Sequence, residues 1–136
     1  MFDYIVITAA NEAQARGYRA QTKNRPEVKV ISDPGGKRVG SLGATVNLLK
    51  HLKLSGKVLV CHSGGDARRT PGYAAMGKAF VPMKDGRSMF EHIVETMSSL
   101  PLPEKGGVLS TSGDVLLDFD YAATDFSRPG VTGVAY

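Results

Sequence analysis

Cysteine is nearly missing from this sequence: Cys61 is the single one in 136 residues. That excludes an internal disulfide framework and a cysteine-based zinc site, and makes a reducing compartment, the cytosol, the expected one. Long apolar runs are missing too. Stretches such as 5–7 and 58–60 fall far short of the roughly 20 residues a membrane span needs, and Asp3 and Tyr4 stand where a secretory signal would be basic. No membrane partner is expected. Like charges never run to five or six in a row, and basic residues do not alternate with aromatics. The formal charge of +4, from 17 basic and 13 acidic residues, is therefore spread thin, and a nucleic-acid partner is not expected.

What is present is one domain's worth of chain, long enough to bury roughly two thirds of its unfolded surface without a metal or disulfide staple. Residues 4–8 are a short β-branched run, and 11–23 are rich in Ala, Gln, Glu and Arg with Asn11 placed as an N-cap, predicting strand then helix. A second strand follows over 28–32. A helix is expected over 44–54, with Val46, Leu48, Leu49 and Leu52 on its apolar face and Gly56 as its stop. Residues 57–62 read as a buried third strand, 63–82 as a long loop, and Ser88 with Glu91 as a capping box opening a helix to about Ser99. A fourth strand is expected over 108–111 and a last one over 131–136. Strands alternating with helices predict an α/β fold with a mostly parallel sheet, helices on both faces, and ligands beyond the carboxyl ends of the strands. Every glycine-rich segment falls at such an end. Because the sequence stops within or just after the last expected strand, 1–136 is expected to be the N-terminal part of a longer domain.

Three segments carry chemistry. His62-Ser63-Gly64-Gly65-Asp66-Ala67-Arg68-Arg69-Thr70-Pro71 runs on to Gly77-Lys78. Backbone N–H groups at Gly64 and Gly65 can approach a phosphate closely, and Arg68, Arg69 and Lys78 can neutralise charge that develops in phosphoryl or nucleotidyl transfer. The plain alternative is a surface loop with solvated cations. Within it, Gly72 to Lys78 satisfies G-x-x-x-x-G-K, but Ala79 replaces the Ser or Thr that a P-loop needs for Mg²⁺, and Gly72 does not follow directly from a strand. The second segment, Asp33-Pro34-Gly35-Gly36-Lys37-Arg38-Val39-Gly40-Ser41-Leu42-Gly43-Ala44-Thr45, opens a helix whose amides suit a base edge or a phosphate, with Thr45 able to cap or bind. In the third, Ser112-Gly113-Asp114-Val115, a carboxylate can hold Mg²⁺ against phosphate oxygens. His62 reads as a satisfied structural histidine and Cys61 as a small buried hydrophobe.

The order D-P-x-G-K-R-V-G-S-x-G-A-T, H-S-G-G-D-x-R-R-x-P-G-Y-x-x-x-G-K-x-F-x-P, then S-G-D-V resembles the fucose-1-phosphate guanylyltransferase (GDP-fucose pyrophosphorylase) family, which includes the pyrophosphorylase half of bifunctional fucokinase/guanylyltransferase enzymes. Leu42 stands where that family has glycine. A wider similarity is to sugar-nucleotide pyrophosphorylases, with Gly77 in place of the proline before their lysine. The resemblance implies a Rossmann-like nucleotidyltransferase fold and transfer of GMP from GTP to a sugar 1-phosphate, L-fucose 1-phosphate, with Mg²⁺ as cofactor. It implies Arg68 and Arg69 on the β- and γ-phosphates and Lys78 on the transferred or incoming phosphate. Gly40, Ser41, Gly43, Thr45, Gly64 and Gly65 would line the nucleotide, and Asp114 would hold the metal. The sugar pocket and a second metal carboxylate would belong to a fused or C-terminal remainder. The alternatives are a kinase-like phosphotransferase and a piece that binds without turnover.

Overall fold

The structure, a computed structural model, describes residues 1–52, 55–65, 71–74, 76–128 and 130–133. Strand β1 (Tyr4–Ala9) leads into helix α1 (Glu12–Gln21), then β2 (Val28–Ser32), α2 (Gly40–His51), β3 (Lys57–His62), α3 (Met89–Ser98) and β4 (Gly107–Ser112). Short 3₁₀ turns lie at Pro34–Gly36, Pro71–Tyr73, Lys78–Phe80 and Tyr121–Ala123. Two helices start on the chemistry expected of them. Asn11 Oδ1 accepts from the Gln14 amide at 2.9 Å at the head of α1. At α3, Ser88 Oγ accepts from the Glu91 amide while the Glu91 carboxylate takes the Ser88 amide at 2.7 Å, which satisfies two orphan donors reciprocally.

All three strand pairings are parallel, in the order β2-β1-β3-β4. Period-2 alternation then sorts the core into two layers. Ile5, Ile7 and Ala9 of β1 and Leu59 and Cys61 of β3 pack with Ala15 and Tyr18 of α1 and with Phe90, Ile93 and Met97 of α3. Val6, Val58 and Val60 face the other way and meet Leu48 of α2. Helices thus cover both faces, as a parallel sheet requires, and the architecture is Rossmann-like. From β1 the chain steps to one side for β2 and to the other for β3, so the topology switches direction at the carboxyl ends of β1 and β3. In open α/β sheets that is where a crevice forms.

The structure differs from the sequence reading at two elements. Helix α2 begins at Gly40 rather than at Ala44 and ends at His51, because Gly40 takes a φ of +69° that turns the chain into the helix and Leu52 is already extended. Residues 53–54 lie outside the described part. The strand expected over 131–136 is not formed at 131–133, where Val131 is fully exposed and no strand among the described residues pairs with the segment; 134–136 lie outside the described residues.

Candidate functional site

A cleft of about 300 Å³ opens at the switch point. Its floor is made by polar residues at the carboxyl-terminal parts of two largely apolar strands, Thr8 of β1 and His62 of β3. One wall is the first turn of α2 (Gly40, Ser41) with Arg38 and Asp33 before it; the other is Ser63, Gly64 and Gly65 after β3, and Lys78 and Asp114 close the side next to β4. Helix α2 brings an unusual end to this cleft. Val39, its cap residue, offers no side-chain hydrogen bond and the first turn holds no acid, so its first amides remain available to an anion.

The Gly64-Gly65 loop is held from beneath by α1. Gln14 accepts from the Ala10 amide at 2.8 Å and donates to the Gly65 carbonyl at 3.2 Å, and the Tyr18 hydroxyl donates to the Ser63 carbonyl at 2.7 Å. Burial pushes the Tyr18 phenol up to about 12. Two other glycines let the backbone pass close to side chains here. A Cβ at Gly77, whose φ is +77°, would lie 2.2 Å from the Tyr18 hydroxyl oxygen, and one at Gly113 would lie 2.9 Å from Ser63 Cβ. Gly77 thereby lets the chain cross Tyr18 and deliver Lys78 to the cleft.

Lys78 Nζ lies 3.0 Å from Asp114 Oδ2, and Ser112 Oγ donates to Asp114 Oδ1 at 2.6 Å. The Ser112 hydroxyl first, and then Lys78, hold the Asp114 carboxyl below its usual range. Asp33 is buried at the α2 side, with Oδ2 accepting from the Val39 amide at 3.4 Å. Burial lowers the His62 pKa, against the pull of the Asp33 charge.

Of the residues singled out in the sequence, Gly40, Ser41, Gly64, Gly65, Lys78 and Asp114 are gathered around this one cleft. Gly43 and Thr45 stand back from it. A Cβ at Gly43 would meet Val39 Cβ at 2.6 Å, and Thr45 Oγ1 donates to the Ser41 carbonyl at 2.9 Å and lies 3.1 Å from His62 Nε2. Arg68 and Arg69, with Asp66, lie outside the described residues. Asp33, Arg38, Thr8 and Ser63 line the cleft although the sequence reading gave them no role; Asp33, Arg38 and Ser63 stood within the glycine-rich segments, and Thr8 was marked only by being polar near the end of a buried strand. Lys78 opens a three-residue 3₁₀ turn and not an α-helix, so the Gly72 to Lys78 run lacks the strand–loop–helix setting of a P-loop.

Comparisons with known proteins place the chain in a family by its sequence. A family model described as the fucose pyrophosphorylase domain matches residues 52–136. A fucose-1-phosphate guanylyltransferase of Mus musculus is 30% identical over 159 residues, taking in 99% of this chain and 27% of the mouse protein. A bifunctional fucokinase/GDP-fucose pyrophosphorylase of Arabidopsis thaliana is 31% identical over 88% of this chain and 16% of its own length. An L-fucokinase/L-fucose-1-P guanylyltransferase of Bacteroides fragilis is 33% identical over 68% of this chain and 11% of its own. The chain spans about a quarter of the length of the first of these relatives. No solved structure matches the chain significantly.

Proposed function

Because the chain belongs to the fucose pyrophosphorylase family, we propose that its cleft binds GTP and serves transfer of GMP to a sugar 1-phosphate, L-fucose 1-phosphate, giving GDP-sugar and pyrophosphate. The observation that carries the reading is the meeting of two cations, Arg38 and Lys78, two carboxylates, Asp33 and Asp114, a Gly-Gly loop and a helix start without a side-chain cap around a single cleft. In this reaction an oxygen of the sugar phosphate attacks the α-phosphorus of GTP, a new P–O bond forms, the bond to the β-phosphate breaks and pyrophosphate leaves. Little proton transfer is involved, so positioning and charge neutralisation dominate. Glycines and cations suit that demand better than a general base would.

The amides at Gly64, Gly65 and the start of α2 would orient the triphosphate. Lys78 would move from Asp114 to a phosphate oxygen and stabilise charge as the leaving group departs, and Arg68 and Arg69 are assigned to the β- and γ-phosphates by family resemblance. Asp114 suits Mg²⁺, since this metal is commonly held by one or two carboxylates together with substrate phosphates, and its carboxyl is kept ionised. When bound there, Mg²⁺ would supply charge neutralisation between the phosphates. Calorimetry of the chain with GTP, ATP, UTP and CTP in Mg²⁺ tests the reading, with the tightest binding expected for GTP. No heat with any triphosphate would overturn it. A pyrophosphate-release assay with GTP and L-fucose 1-phosphate then separates turnover from binding alone.

A further inference from the structure

We infer that His62 is a positioning residue for the nucleotide, carrying its proton on Nε2 and so joining the start of α2 to the loop after β3 through one directed chain of hydrogen bonds. The inference rests on the triphosphate reading of the cleft and concerns how its two walls are kept in register. They come from separate parts of the sequence, and His62 stands between them at the end of β3 with both ring nitrogens engaged: Nε2 is 3.1 Å from Thr45 Oγ1 and Nδ1 is 3.4 Å from Thr8 Oγ1.

The proton order follows from which groups can only accept. Thr45 has one hydroxyl proton and directs it at the Ser41 carbonyl, 2.9 Å away. Toward His62 its oxygen must then accept, which places a hydrogen on Nε2. Half burial keeps the ring neutral, leaving Nδ1 bare to accept from the Thr8 hydroxyl. The Thr8 oxygen in turn accepts from the Ser63 amide at 3.3 Å. Thr8 is only 3% exposed, so water cannot readily stand in for either partner. The tautomer is assigned from these partners, and every donor from the Ser63 amide to the Thr45 hydroxyl finds one acceptor along the line.

A residue needed only for packing would be replaced by any side chain of similar size, whereas a directed chain requires a donor at the Nε2 position. Glutamine extends an amide N–H to about that distance; asparagine reaches only the Nδ1 position, and leucine offers no donor. The test combines long-range ¹H–¹⁵N correlation of the imidazole in the unsubstituted full chain near neutral pH with GTP titrations of His62→Leu, His62→Asn, His62→Gln, Thr45→Val and the His62→Leu/Thr45→Val pair. The neutral Nε2–H tautomer is expected. His62→Leu, His62→Asn and Thr45→Val should each weaken GTP about tenfold, the order of one lost hydrogen bond. His62→Gln should stay within about threefold of the unsubstituted chain, and the double variant should be no weaker than either single one. An Nδ1–H tautomer, additive losses in the pair, or a glutamine variant as weak as leucine would overturn the inference. If the unsubstituted chain binds no triphosphate, the functional reading fails instead, and the imidazole correlation, which needs no substitution, still decides the hydrogen-bond order.

Discussion

Lys78 shows how differently one side chain can weigh on stability and on chemistry. Its pair with Asp114 is partly open to solvent, with side-chain exposures of 30% and 43%, and such pairs contribute about 0–1 kcal/mol. Lys78→Ala should therefore leave the thermal midpoint almost unchanged. The same change in a protein carrying out guanylyl transfer is expected to lower turnover by about 10²–10³-fold, since a charge aimed at a developing anion contributes roughly 2.7–4 kcal/mol in the transition state. Thermal unfolding and a pyrophosphate-release assay on one preparation would separate the two effects; unchanged turnover would remove Lys78 from the site. Tyr18 presents the opposite balance. Tyr18→Phe deletes the donor to the Ser63 carbonyl beneath the Gly64-Gly65 loop and should cost about 1–3 kcal/mol in denaturant unfolding, because an acceptor loses its partner in a largely buried place. Cys61 is fully buried and its thiol is pushed up to about 12 by burial, so a thiol reagent should label it only as the chain unfolds.

At the scale of elements, the two helices with built starts and the one without serve different ends. Ser88→Ala breaks the capping box of α3 and should destabilise by about 1 kcal/mol, measured by chemical denaturation, with the cleft untouched. Leu48 is the one large α2 side chain fully buried against Val6, Val58 and Val60. Leu48→Ala should cost about 2–5 kcal/mol and loosen the wall that carries Gly40 and Ser41. How far these elements were legible depends on how local their causes are. Strands 28–32 and 57–62 could be read to the residue because apolar, β-branched runs end there in turn formers, and α1 and α3 declared themselves through Asn11 and Ser88. The start of α2 could not be read that way, since Gly40 and Gly43 each weigh against a helix by about 1 kcal/mol and only the packing of Ala44 and Leu48 on the sheet outweighs them. Val131 to Tyr136 has strand composition, but strand propensity expresses a fit to a neighbouring strand, and residues 131–133 have none among the described residues. The glycine loops of the cleft were visible as motifs. The approach of Lys78 to Asp114 depends on how β4 and the loop before α3 come together, the burial of Asp33 on how the end of β2 meets β1 and the start of α2, and no spacing in the sequence encodes either.

Taken as a whole, the molecule has titrating groups that bound its stable range on both sides. The His62 pKa lies below its ordinary 6.5 in the folded chain. As pH falls below about 6.5 the unfolded chain takes up this proton first, and stability should decline. Burial raises Cys61 from 9 to about 12 and Tyr18 from 10 to about 12, so their joint contribution is complete below about 9 and is lost as pH rises toward 12. Denaturation midpoints across this range should show a plateau with a shoulder on each side, and His62→Gln should remove the acid one.

The strand order also has a consequence in time. Tyr4 meets Val58, Ile5 meets Val28 and Lys57 meets Gly107, so no strand pairs with a partner that a tight turn could bring to it. Parallel partners require long stretches of chain to close before any contact compensates for the lost entropy, which slows a protein relative to helical ones of equal size. Helices α1 and α3, started by their own caps, need no such search. On dilution from denaturant, far-ultraviolet ellipticity should therefore recover in an earlier phase than the fluorescence of a labelled triphosphate responding to the cleft. Simultaneous recovery of the two signals would mean that the pairing of β1 with β3 is already made when the helices form.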